Sequence, residues 1–225
     1  MKRSTPASLR AFTLIELMTV VAIIAMLSAL GFWALKYAMN KSREKDTVAT
    51  ISKISTAIQS YRDDRGNYPR PALDEETTTV DEETWKVGGA KMLYQVLSGD
   101  GDDAVKGGEK RSTGIQASAK DEKDDYAGKI YLDTIIAPTP DEVQQKKKGK
   151  PVASDGSGSY YVVDPWQHPL QYQVPERDKN GVITNEIEMH GGDVAYELWS
   201  YGTLRKPGTA DEDKKKWITN WSNQQ

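Results

Sequence analysis

Few side chains in this sequence are spaced for covalent chemistry. There is no cysteine, which excludes thiolate nucleophiles, disulfides and cysteine-ligated metals together. The two histidines, His168 and His190, lie in separate segments and form no HExxH-type pair. Ser200 stands in Leu198-Trp199-Ser200-Tyr201-Gly202, not in the GxSxG setting of a nucleophile elbow. No glycine-rich phosphate loop follows a strand-like run. Asp100, Asp102 and Asp103 imitate part of a calcium loop, but no Glu closes it at the required spacing, so they read as a solvated loop. The carboxylate that stands out is Glu16, the one ionisable residue between Phe12 and Leu35. A carboxylate in such surroundings needs a partner or a route to water. Its chemistry is that of a charge waiting to be paired, or of one that snorkels to an interface.

The element that must position Glu16 is the apolar run itself. At 1.5 Å per residue, the 24 residues from Phe12 to Leu35 form a helix of roughly 36 Å, enough to cross a hydrocarbon core of about 30 Å. Lys2, Arg3 and Arg10 precede the run, and Lys36, Lys41, Arg43 and Lys45 follow it just as densely, so charge alone does not orient it. The helix is predicted to continue beyond the run. Val48, Ile51, Ile54, Ile58 and Tyr61 recur at spacings of three and four, one apolar stripe on a helix. Arg65-Gly66-Asn67-Tyr68-Pro69 supplies the stop. One rod of about fifty residues results, amphipathic in its second half.

The remainder reads as a small mixed domain. Lys91 to Leu97 is amphipathic and predicts a second helix, and Lys129 to Ile136 predicts a strand ended by Pro138 and Pro140. Between them, residues 98–128 are rich in Gly, Asp and Lys and form a long polar insertion. The run Lys146-Lys147-Lys148-Gly149-Lys150 has no interleaved aromatics, and the net charge of the chain is -3, so neither points to nucleic acid. Strands are predicted at Tyr160–Val163, Pro169–Val174 and Ala195–Tyr201, with turns at Asp164-Pro165-Trp166 and Asn180-Gly181. The fold class is α+β: a long N-terminal transmembrane and amphipathic helix packed on a small antiparallel sheet.

Two sets of residues add a resemblance. Ala11-Phe12-Thr13-Leu14-Ile15-Glu16-Leu17, after a short basic leader, resembles the processing motif of type IV pilin-like proteins. Further on, four pieces resemble the major pseudopilin of type II secretion systems: Asp164-Pro165-Trp166, Pro169-Leu170-Gln171-Tyr172, Tyr196 to Gly202 and Ile218-Thr219-Asn220-Trp221. Residues 11–69 and the span 164–221 that holds these pieces together make up roughly half of the chain, and the middle is longer than that subunit usually has.

The resemblance implies that residues 1–11 are a leader removed by a prepilin peptidase between Ala11 and Phe12, with N-methylation of Phe12. Ala11 stands where the family usually has Gly. Residues 12–35 would be the membrane and assembly half of the helix, and residues 36–225 a periplasmic domain of a single-pass protein of the bacterial inner membrane. Glu16 would pair with the freed ammonium of Phe12 on a neighbouring subunit. The implied partners are further copies of the chain, other pseudopilins, the inner-membrane assembly platform and membrane lipid, with no catalytic role and no nucleic acid. Family members often hold calcium after the last long strand. Here Leu204 replaces one acidic position and Lys216-Trp217 precede Ile218, so Asp211, Glu212 and Asp213 would have to supply the ligands from a shifted place, against Lys214 to Lys216. A subunit of an adhesive, motile or DNA-uptake type IV pilus is the alternative reading, and a membrane-tethered binding module a further one.

Overall fold

A computed structural model describes residues 13–101, 104–106, 129–136, 150–154, 159–177, 182–184, 187–192, 194–208 and 210–221. The chain divides into two units, residues 1–42 and 43–225, and helix α1 (Leu14–Arg65) contributes to each.

In the first unit every residue from Leu14 to Met39 is exposed, although nearly all are apolar. This part of α1 is long and apolar enough to cross a membrane. In the second unit α1 behaves as an ordinary amphipathic helix. Thr47, Ile51, Ile54, Ile58 and Tyr61 are buried at spacings of four and three, which keeps them on one line of the helix. The predicted stripe began at Val48, but that residue lies about 100° away from the line and is exposed. Thr47 takes the place instead, its hydroxyl donating to the Arg43 carbonyl at 2.8 Å, so its polar atom costs nothing to bury. The helix ends where the sequence predicts. Gly66 adopts φ +78° and donates its N–H to the Arg62 carbonyl at 2.7 Å.

A hairpin follows that the sequence reading did not contain: β1 (Thr77–Val80) paired with β2 (Glu83–Lys86), Thr78 opposite Trp85. Its turn places Asp81 and Glu82 at φ 51° and 68°, left-handed positions usually marked by Asn or Gly. Helix α2 (Gly88–Ser98) covers the predicted 91–97 and ends on left-handed Gly99. A side chain at Gly89 would come within 2.8 Å of the Tyr172 carbonyl, so glycine lets α2 approach the sheet.

The predicted strand at Lys129–Ile136 is instead a loop with a short 3-10 helix at Asp133–Ile135. The Tyr131 and Leu132 N–H groups both donate to the Leu97 carbonyl at 2.9 Å. Those donors cap the end of α2, so they are not available to a strand ladder.

Among the described residues the strands form three small antiparallel sheets, not one. Beyond the hairpin, β3 (Val152–Ser154) pairs with β4 (Tyr160–Val162), and β5 (Gln171–Gln173) pairs with β6 (Glu197–Ser200), which pairs with β7 (Ile218–Thr219). A four-residue helix α3 (Asp211–Lys214) precedes β7. The turn Asn180-Gly181 lies outside the described residues, but Arg177 and Ile183 on either side bridge antiparallel. Ile54 and Ile58 of α1, Leu93 and Leu97 of α2, Leu170 next to β5 and Leu198 of β6 share one core. The molecule is thus α+β, with a long apolar N-terminal helix and small antiparallel sheets.

Candidate functional site

Glu16 is found in the first turn of α1. Thr13 donates its backbone N–H and its hydroxyl to Glu16 Oε2, at 2.9 and 2.8 Å, and the Glu16 N–H approaches Thr13 Oγ1 at 3.3 Å. This is a capping box, in which the acid satisfies donors that the helix start would otherwise leave open. Ala11 and Phe12, the processing residues of the sequence reading, lie outside the described residues.

The calcium candidates are placed apart in role. Asp211 is almost fully exposed, with Lys214 Nζ at 3.9 Å, and Asp213 faces Lys216 Nζ at 3.3 Å. Each carboxylate therefore has an ammonium on it, the opposite of what a dication needs. Among the described residues, no group of three or more His, Cys, Asp or Glu side chains converges as a metal site would require. Asp100 is buried, contrary to the solvated loop expected there, while Asp102 and Asp103 lie outside the described residues.

Ser200, His168 and Asp164 come together, a neighbourhood the sequence did not disclose. Asp164 Oδ2 accepts the Ser200 hydroxyl at 2.6 Å, and Oδ1 accepts the N–H groups of Trp166 and His168 at 2.8 and 3.0 Å. His168 Nδ1 stands 3.9 Å from Oδ2, and its ring stacks on Trp85 at a centroid distance of 4.3 Å. Burial raises the Asp164 pKa and lowers that of His168. The set has the residue types of a catalytic triad in the wrong wiring. The serine proton is committed to the carboxylate and not to an imidazole, unlike the order of a Ser-His-Asp triad. Ser200 also accepts the Gly202 N–H at 2.9 Å. The cluster ties the Asp164-Pro165-Trp166 turn to β6 and, through Trp85, to the hairpin.

Sequence reasoning also missed Glu197, which is fully buried. Its Oε1 accepts the backbone N–H groups of His190, at 2.5 Å, and Gly191; its Oε2 meets Gln173 Nε2 at 2.5 Å and His190 Nδ1 at 3.1 Å. One carboxylate thus holds the 187–192 segment against β5 and β6. Nearby, a cavity of about 330 Å³ is lined by Glu75, Lys86, Gln173, His190, Trp199 and Trp217, among others. Part of its polar lining is engaged: Lys86 Nζ bonds Glu75 Oε1 at 2.8 Å, and Gln173 and His190 both serve Glu197. Among the described residues around it, no general base is aimed at a nucleophile.

Compared with protein-family models, curated proteins and solved structures, the chain matches none.

Proposed function

We propose that the chain is a structural subunit of a type II secretion pseudopilus, which polymerises through its N-terminal helix to help drive proteins across the outer membrane. The observation that carries the reading is the first unit of the molecule. From Leu14 to Met39 an apolar helix is exposed throughout, with one acidic residue in its first turn. Such a surface must be covered by lipid, by copies of itself, or by each in turn. The Ala11–Leu17 motif and the four C-terminal pieces support the specific family.

In this reading α1 holds the subunit in the inner membrane, with the domain in the periplasm, until the assembly platform adds it to the fibre. Glu16 leaves its capping role to meet the ammonium of Phe12 on a neighbour. In the same reading the domain supplies a folded outer shell and no catalysis.

The test is the intact mass of protein purified from membranes of a host that has the prepilin peptidase. The expected species begins at Phe12 and carries one added methyl group. Recovery of the complete leader, or a cut after the apolar run near Ala29, would overturn the family assignment.

A further inference from the structure

We propose that one side of α1 at the end of its apolar run, built from Trp33, Lys36, Tyr37 and Lys41, is an anchor for anionic phospholipid headgroups. The inference rests on reading α1 as a membrane anchor and adds the chemistry of the lipid it prefers. The four residues are spaced by three, four and eight from Trp33, so they occupy one sector of roughly 140° on the helix. All four are exposed, and the Trp33 and Tyr37 rings lie nearly parallel, 13° apart, with centroids separated by 6.2 Å. The opposite side at the same height carries Ala34, Leu35, Ala38 and Met39, with no hydrogen-bonding side chain.

That division is what a membrane border asks of a helix. Tryptophan and tyrosine favour the headgroup level, where an apolar ring meets water and their N–H and O–H groups find acceptors. Lysine extends its ammonium outward from the same depth. Two ammonium groups beside two rings match the phosphodiester of an acidic lipid, and a negatively charged leaflet draws such residues in over a Debye length. Between Trp33 and Lys41 the helix carries no acidic residue, and Glu44 stands one turn beyond Lys41.

The placement also sets a depth. Trp33 is seventeen residues from Glu16, roughly 26 Å along the helix, against a hydrocarbon core of about 30 Å. With the ring pair held at one border, the carboxylate comes just inside the other. The anchor thereby holds Glu16 at the depth where its pairing is strongest, and it opposes withdrawal of the subunit from the bilayer until neighbours replace the lipid.

The full chain, reconstituted in vesicles of brominated phosphatidylcholine mixed with unbrominated phosphatidylglycerol, tests this through quenching of Trp33. The signal is the difference from Trp33→Phe, which removes the five other tryptophans from the measurement. Phosphatidylglycerol should protect Trp33, with a preference over phosphatidylcholine of about fivefold for each lysine that engages a phosphate. Lys36→Gln with Lys41→Gln should bring the preference close to one, and arginine at both positions should restore it. Equal affinity for the two lipids in the wild type, or a preference unchanged in the glutamine variant, overturns the anchor. Trp33 unquenched by any lipid would instead sink the membrane reading on which the anchor rests.

Discussion

Glu16 and Thr13 close the start of α1 on each other, the carboxylate accepting two Thr13 donors while the Thr13 hydroxyl oxygen faces the Glu16 N–H. The acid that looked unpaired in the sequence is therefore already satisfied within one subunit. In a bilayer this would matter, because a carboxylate just inside the hydrocarbon is costly without a partner or a route to water. In the proposed fibre a neighbour's ammonium would have to compete with the capping box, with a full charge where Thr13 offers neutral donors.

Glu16→Gln is accordingly expected to block assembly while leaving the domain folded. The amide can still accept from Thr13 and is easier to insert in lipid, so the amount in the membrane should be equal or greater. What disappears is the charge. Sheared-fibre yield from cells producing the variant should fall to a small fraction of wild type, and cross-linked oligomers should fall with it. Wild-type yield would mean that Glu16 serves only its own helix start.

Calcium is expected to leave the protein unchanged. Asp211 and Asp213 each face a lysine of their own segment, so a dication would have to displace two ammonium groups before gaining ligands. Thermal melts of the full chain in detergent, with chelator and with millimolar calcium, should superimpose. A site filled at a hundredfold excess over its dissociation constant would add about 2.7 kcal/mol, a shift of roughly 5–10 °C that such melts resolve easily.

How far the sequence carried depends on whether the signal was periodic or spatial. The apolar run, the second half of α1 and its Gly66 stop were legible because helix periodicity and a left-handed stop residue are local properties. The hairpin at Thr77–Lys86 was not. Its β-branched run is four residues long, and its turn uses Asp81-Glu82 in place of an Asn-Gly pair. Strand β6 was located, but not the burial of both its faces, Glu197 and Trp199 on one and Leu198 and Ser200 on the other. The 187–192 segment and Trp217 cover the first of these faces, a long-range event with no trace in a five-residue window. Glu197 could have been suspected only from its place between Tyr196 and Leu198.

Acid should weaken the domain through His168. Its ring is buried against Trp85, and burial holds its pKa below the ordinary value. In the unfolded chain the same imidazole takes a proton near pH 6.5. Between that value and the lower folded one, the unfolded state binds more protons, so stability falls as pH falls from about 6.5. Asp164 works the other way, since burial raises its folded pKa above the ordinary carboxylate value near 3.8. Its contribution is full at low pH and is lost as pH rises through the folded pKa, which makes the variant comparison the cleaner measurement. His168→Gln should flatten the pH dependence of denaturant midpoints relative to wild type between pH 6.5 and 5. Parallel profiles for the two proteins would show that His168 does not change its proton on unfolding.

Glu197 should be the most sensitive polar position in the domain. Four groups converge on its two oxygens, and truncation to alanine leaves at least the His190 and Gly191 N–H groups and the Gln173 amide facing a void. Removing one side of a buried charged network costs about 3–5 kcal/mol, which is roughly 6–20 °C in melting temperature for a domain of this size. Ser200→Ala, which removes one hydroxyl from buried Asp164, should cost less, about 1.5–3 kcal/mol. Glu197→Gln separates charge from shape. Its carbonyl can keep both backbone donors, while Gln173 can turn its own amide to present oxygen and His190 can present Nδ1 as an acceptor. The glutamine variant should therefore lie between wild type and alanine, and its tryptophan emission should stay close to native because the rings of Trp199, Trp217 and Trp221 around His190 keep their places. Melting temperatures of the three variants in detergent give the order directly. An alanine variant as stable as wild type would mean that the 187–192 segment is held by its aromatic packing alone and that the carboxylate network contributes nothing to the fold.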